Sequence, residues 1–204
     1  MGTSSVKTMN DIALKARKME YSIDPLFIGR WSPRAMSGEK IPREKLMSLF
    51  EAARWAPSSY NSQPWKFIFA EKDGKDWNNI FGLLAEFNQG WTINASALAV
   101  VVSKKTFDKD GKYSRTHSYD AGAAWANLAL QGHLMGLVVH GMSGFDYDKA
   151  RKVLNVPEDH DVEAMFAVGR PGIKENLPQA MQQMEIPSTR KSVSEFAFEG
   201  RFGG

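Results

Sequence analysis

Ala56-Pro57-Ser58-Ser59-Tyr60-Asn61-Ser62-Gln63-Pro64-Trp65 crowds hydroxyl and amide side chains between two prolines. Amides donate and accept hydrogen bonds together, which suits the alternating edge of a flavin or a nucleobase. A capped loop followed by a core tryptophan is the plainer structural reading, but Asn61 and Gln63 as a pair favour a binding role. The flanks set this stretch between a helix and a strand. Leu46, Leu49, Phe50 and Ala53 fall at i, i+3, i+4 and i+7, one buried stripe of a helix starting near Pro42 and ending at Pro57. Lys66 to Lys72 reads as a strand through Phe67, Ile68 and Phe69.

Further along, Asp73-Gly74 turns the chain into a helix expected from Asp76, with Ile80, Leu83, Leu84 and Phe87 on one side. Ala97–Ser103 is a β-branched run and reads as a buried strand. Thr106 to Ser118 is a polar loop, followed by the longest helix, about Tyr119 to Met135. Seven of the twelve residues from Ala121 to Gly132 are Ala or Gly, so neighbouring backbones can approach closely. Leu137 to His140 is a short strand. Asp146 caps a helix to Leu154, with Phe145 and Ala150 as a hydrophobic staple. Ala164 to Val168 is the last core strand. Strands alternating with helices predict an α+β sheet between helices. Residues 1–22 read as a mobile leader and first helix, and 23–204 as one domain. Its polar tail, about 173–204, forms an arm packed along a neighbour.

Composition removes several function classes. With 26 basic and 23 acidic residues the net charge is +3, and the charges are mixed along the chain, as in Lys15-Ala16-Arg17-Lys18-Met19-Glu20. That run reads as a solvated face, and no clustered basic surface points to nucleic acid. The absence of cysteine excludes disulfides, thiolate catalysis and cysteine-held metal. The first twenty residues have no apolar core of a signal peptide, and the longest apolar run, 95–102, is too short to span a bilayer. A cytoplasmic protein without a membrane partner is expected. His117, His133, His140 and His160 lack metal-ligand spacing and are assigned to core or surface. No G-x-G-x-x-G, Walker A or H-E-x-x-H motif occurs.

Two other segments carry chemistry. Arg30-Trp31-Ser32-Pro33-Arg34 places two guanidinium forks and a hydroxyl in irregular chain, a plausible phosphate grip; on its own an exposed basic loop is the commoner explanation. Gly141-Met142-Ser143-Gly144 would let backbone amides approach a ligand, although a glycine-rich connection explains it equally simply.

Taken in order, these segments resemble the nitroreductase family. Arg30-x-Ser32-x-Arg34 is similar to its N-terminal flavin motif, and Pro57-Ser58-Ser59-x-Asn61-x-Gln63-Pro64-Trp65 to its most diagnostic stretch. Asp120-Ala121-Gly122-Ala123, Gly136-Leu137, Gly144-Phe145-Asp146, Gly169-Arg170-Pro171 and Arg190-Lys191 follow in the family's order, so the likeness runs from about Ile28 to Glu195.

The resemblance implies a three-layer α/β/α fold with a mostly antiparallel, mixed sheet and an intertwined homodimer with two shared FMN sites. Arg30 and Ser32, with Trp31 between them, would hold the phosphate and ribityl end, with Arg190 and Lys191 completing the anion site. Arg34 would face the pyrimidine edge, where a fixed cation stabilises the negative charge of reduced flavin. Ser58, Ser59 and Asn61 would come from the partner chain, as would Gly141, Met142, Ser143 and Gly144, and Pro57 and Gln63 would also bind the cofactor. The Ser143 or Gly144 N–H would bond flavin N5. Asn88 would contact the ring, and Trp91, where relatives carry a basic residue, would either line the substrate face or lie in the core. No side chain is expected to be catalytic, because flavin N5 carries the hydride. The implied reaction is ping-pong, from NADH or NADPH to a small-molecule acceptor such as a nitroaromatic or quinone. Reductive dehalogenation, enone reduction and heterocycle oxidation are alternatives within the fold, and a non-catalytic flavin-binding protein is a further one.

Overall fold

The computed structural model describes residues 11–203. The leader expected over 1–10 lies outside the described residues. Residues 11–16 are helical (α1), and the chain leaves that helix well before Tyr21. Helix α2 (Pro25–Gly29) starts with proline in its first turn and is capped by Asp24, whose carboxylate accepts the Leu26 N–H. Helix α3 (Arg43–Arg54) follows Pro42 and buries Leu46, Leu49 and Ala53, as the spacing predicts.

Four strands form the sheet: β1 (Trp65–Glu71), β2 (Ala97–Lys104), β3 (Val138–Met142) and β4 (His160–Gly169). Their order is β1-β2-β4-β3. Every ladder among the described residues is antiparallel, so the expected mixed character is absent from this sheet. Strand β2 is central and apolar on both faces, and its side chains alternate between two cores. Leu98, Val100 and Val102 face one cluster, and Ala97, Ala99 and Val101 the other.

The two cores define the outer layers. On one face, α3 packs beside α6 (His117–Leu134) and buries Leu49, Ala53, Ala124, Leu128 and Ala129. The small residues of α6 allow a close approach: a Cβ on Gly132 would stand 2.5 Å from Val139 Cγ2. On the other face lie α4 (Trp77–Phe81), α5 (Glu86–Thr92) and α7 (Tyr147–Val153). The three-layer α/β/α arrangement follows directly.

One expected helix divides. The periodicity over 76–87 predicts a single helix, but α4 ends at Phe81, with Gly82 as its cap, and α5 begins at Glu86. Between them Leu83 and Leu84 turn inward, and the backbone bonds another segment: Asp146 N–H donates to Leu83 O and Ala85 N–H to Gly144 O. Phe87 is left exposed. Helix α7 begins as expected, Asp146 accepting the Lys149 N–H at 2.9 Å with Phe145 and Ala150 buried beside it. The arm contains α8 (Gln179–Gln182) and short 3-10 turns, with little regular structure beyond. No helix among the described residues is long and apolar enough to cross a membrane.

Candidate functional site

The segment after α2 is extended and lies beside the end of β4. Met36 bridges Pro171, and Gly172 N–H donates to Ala35 O at 2.9 Å. Glycine is required at 172, since a Cβ there would stand 2.5 Å from the Met36 carbonyl carbon. This placement opens a cleft of about 270 Å³ lined by Arg30, Trp31, Ser32, Arg34, His140 and, from the arm, Arg190. Arg17 reaches it from the N-terminal side, so its assignment to a solvated face is incorrect. It is half-buried while its neighbours are exposed.

The cleft gathers positive charge without neutralising it. Among the described residues, Arg17, Arg30, Arg34 and Arg190 form no ion pair with a carboxylate. Burial lowers the pKa of Arg30, and repulsion from Arg190 lowers it further. Arg30 Nη1 donates to Ser32 Oγ at 3.1 Å, which aligns fork and hydroxyl. Two buried donors there lack acceptors, Trp31 Nε1–H and Arg34 Nε–H. Leaving buried donors unmade costs free energy, and binding clefts are where such groups find partners. A ligand with an anionic tail and several acceptor atoms fits this donor set.

Two residues that sequence reading missed hold the cleft in shape. Glu185 is buried, and its Oε1 accepts from both Arg34 N–H and Ala35 N–H at 2.7 Å. Nothing in the local pattern marks it, being a lone acid between Met184 and Ile186 in an irregular arm. His140, on β3, lies 2.9 Å from Pro33 O through Nδ1. A carbonyl only accepts, so Nδ1 carries the proton. Burial lowers the His140 pKa to about 4, aided by Arg34 and Arg30 and opposed by the bond to Pro33. Its ring lies 4.5 Å from that of Trp91.

Trp91 is 1% exposed, so it is a core residue and does not line the substrate face. Its Nε1 donates to Asn88 Oδ1 at 3.1 Å, and Asn88 Nδ2 donates to Gly144 O at 2.9 Å. A continuous path therefore runs from the 30–34 segment through His140, Trp91 and Asn88 to the 141–144 turn. The glycines there make room for side chains of this chain. A Cβ on Gly141 would meet Trp125 at 2.9 Å, and one on Gly144 would meet Asn88 Nδ2 at 2.7 Å. Ser143 is exposed, and no described residue accepts from the Ser143 or Gly144 N–H.

Residues 57–63 form a second cluster. Tyr60, Asn61 and Gln63 have φ of 51, 54 and 47°, three left-handed non-glycine residues within four positions. Such conformations cost of order 1 kcal/mol each and persist where surrounding bonds impose them. Here Asp120 accepts the Ser59 N–H at 3.1 Å, Ser58 Oγ accepts the Gln63 N–H at 3.0 Å, and Gln63 Nε2 donates to Asn61 O at 3.0 Å. Pro57, Asn61 and Gln63 are exposed, Ser58 and Ser59 half-buried. Trp65 pairs with Ser103 and Ser103 with Asp161, whereas His140 pairs with Ala167. That is six residues along β4 and three strands across the sheet. At about 3.4 Å per residue and 4.8 Å per strand the two clusters lie roughly 25 Å apart.

The nitroreductase family model matches residues 28–89 and 83–170. The chain belongs to the nitroreductase family. Among solved structures it is similar to an oxidoreductase containing FMN, at 46% identity and a TM-score of 0.88, over 92% of this chain and 96% of that one. It is 44% identical over 62 residues to the oxygen-insensitive NADPH nitroreductase of Helicobacter acinonychis, a match covering 30% of this chain and 29% of that protein. A longer likeness, 26% over 164 residues, is to the iodotyrosine deiodinase of Thermotoga neapolitana, covering 70% of this chain and 84% of that one.

Within this nitroreductase-family chain the motif residues divide between the two places. Arg30, Trp31, Ser32, Arg34 and Arg190 meet in the cleft, with Asn88 and 141–144 joined to it through Trp91 and His140. Pro57, Ser58, Ser59, Asn61 and Gln63 stand at the far end of the sheet. Lys191 is exposed and does not line the cleft.

Proposed function

We propose that this chain is an FMN-dependent NAD(P)H oxidoreductase that works as a homodimer. The observation that carries the reading is the cleft at Arg30, Ser32, Arg34 and Arg190, unpaired in charge and holding the acceptor-less donors of Trp31 and Arg34. Arg30, Ser32 and Arg190 would bind the phosphate, and Arg34 and Trp31 would donate to flavin oxygens and nitrogens. Bound FMN supplies hydride acceptance and donation at N5, so that donor and acceptor use one face in turn. The protein's own part is to fix cations where negative charge grows and to keep the cleft dry. His140, neutral near pH 7, adds no further charge beside Arg34.

The dimer is supported by the separation of the two motif clusters, since one copy cannot place residues 57–63 on a ligand held at Arg30. Large apolar side chains are also exposed on the outer helices: Tyr119 and Leu134 on α6, Met47 on α3 and Trp55 just after it, the last two lining a groove of about 670 Å³.

The test is spectroscopic. Protein supplied with FMN is expected to retain a yellow flavin that NADH or NADPH bleaches under anaerobic conditions. Colourless protein that takes up no FMN sinks the reading. A nitroaromatic or quinone is the expected acceptor. The deiodinase likeness favours a second reading, reductive dehalogenation, and reoxidation by a halophenol but not by a nitroaromatic or quinone would establish it.

A further inference from the structure

Arg17 precedes the stretch matched by the family model, yet its guanidinium joins three distant pieces of chain. Its Nε–H donates to Ser188 O at 2.9 Å, and Nη1 donates to Ile28 O at 2.7 Å and Arg30 O at 2.8 Å. These bonds link the segment after α1, the exit of α2 and the C-terminal arm. They use three of the five guanidinium N–H donors, and the pair on Nη2 has no acceptor among the described residues.

The electrostatics point the same way. Arg17, Arg30 and Arg190 line one cleft, and the arm contributes Ser188 and Arg190 to it. Burial lowers the pKa of Arg17, with repulsion from Arg190 and Arg30 adding to it. Docking the arm therefore brings a like charge toward two others, and none of the three forms an ion pair among the described residues. A phosphate dianion removes that repulsion and accepts forked donors at the same time.

We propose that Arg17 is a phosphate-binding residue, completing a three-arginine clamp with Arg30 and Arg190 that closes the C-terminal arm on a phosphomonoester. The inference rests on the reading that the cleft takes FMN. Its consequence is that the phosphate, and not the ring system, governs whether the arm is held. Flavin phosphate is then selected over unphosphorylated riboflavin, and inorganic phosphate alone protects the arm in part.

Flavin-free protein titrated with FMN and with riboflavin, followed by fluorescence quenching, separates the possibilities. Arg17→Ala is expected to weaken FMN binding by about tenfold or more while changing riboflavin binding by less than about twofold. Arg17→Lys restores the charge but not the fork and should recover part of the FMN loss. Equal loss for both flavins would make Arg17 a structural brace and overturns the proposal, as does an unchanged FMN affinity. Where Arg17→Ala does not fold, Arg17→Lys decides by the same ratio of FMN to riboflavin loss. Limited proteolysis of the arm gives a second readout. FMN and inorganic phosphate should protect residues 186–203 in the wild type and less in Arg17→Lys, and riboflavin should not. Equal protection by riboflavin overturns the clamp. A wild type that binds neither flavin defeats the flavin reading, and the clamp then stands or falls on protection by inorganic phosphate alone.

Discussion

Glu185 holds the backbone of the cleft by a single oxygen that accepts two N–H groups, from Arg34 and Ala35. Glu185→Ala leaves a buried donor on Ala35 and a half-buried one on Arg34 unpaired, a cost of about 1–3 kcal/mol measurable by urea denaturation. Glu185→Gln keeps an acceptor oxygen at that position and should lose clearly less. His140 makes stability depend on pH. Its folded pKa of about 4 lies below the ordinary 6.5, chiefly because burial disfavours the cation. Between those values the unfolded chain binds the proton and the folded chain does not, so stability rises with pH across the window. The contribution is complete above about 6.5 and is lost as pH falls toward 4, amounting to roughly 3 kcal/mol at most. Flavin-free protein should show a urea midpoint that drops between pH 7 and pH 4.5, with a shallower drop in His140→Gln. Parallel profiles for the two proteins would refute this.

At the level of elements, the 57–63 turn holds the densest run of left-handed non-glycine residues among the described residues. Gln63 has φ of 47° immediately before Pro64, a position from which proline normally drives its predecessor to extended conformations. Gln63→Gly relieves that strain and should raise stability by about 0.5–1 kcal/mol, while weakening FMN retention if the amide contacts flavin. A thermal scan with and without FMN reads both effects. The junction of the 30–36 segment with β4 behaves oppositely. Gly172→Ala forces a Cβ onto the Met36 backbone, which cannot move aside as a side chain would, and should cost about 2 kcal/mol or more. The helix divided at Gly82 shows what periodicity leaves undecided. Ile80, Leu83 and Leu84 are all buried, as a helical stripe requires, yet the two leucines are buried by a turn whose backbone bonds residues 144 and 146.

At the scale of the whole molecule, the cleft and the 57–63 turn stand roughly 25 Å apart across the sheet. If one flavin needs both, each site draws on two copies. Arg30→Ala and Asn61→Ala should each abolish flavin-dependent activity alone. Mixed and allowed to exchange subunits, they should recover about a quarter of the wild-type sites. Half the dimers would be mixed, and one of the two sites in each would be intact. No recovery on mixing, with exchange verified, would place both residues' roles within one chain. Much of this protein was legible in order along the chain. The alternation of β2, the stripe of α3, the Asp146 cap and the small residues of α6 are local patterns, and local patterns report periodicity and backbone chemistry directly. The motif residues were legible for the same reason, as residue types at fixed spacing. Arg17, Glu185 and His140 were not, because each acts on a segment far away in sequence: Ser188, Arg34 and Pro33. Their neighbours carry no sign of it, and Arg17 in particular sits in a run of mixed charge that otherwise faces solvent. The types of residue that could grip a phosphate were written in the sequence. Which of them share a cleft, and which stand at the opposite end of the sheet, was decided only by tertiary structure, because strand order and register set those distances.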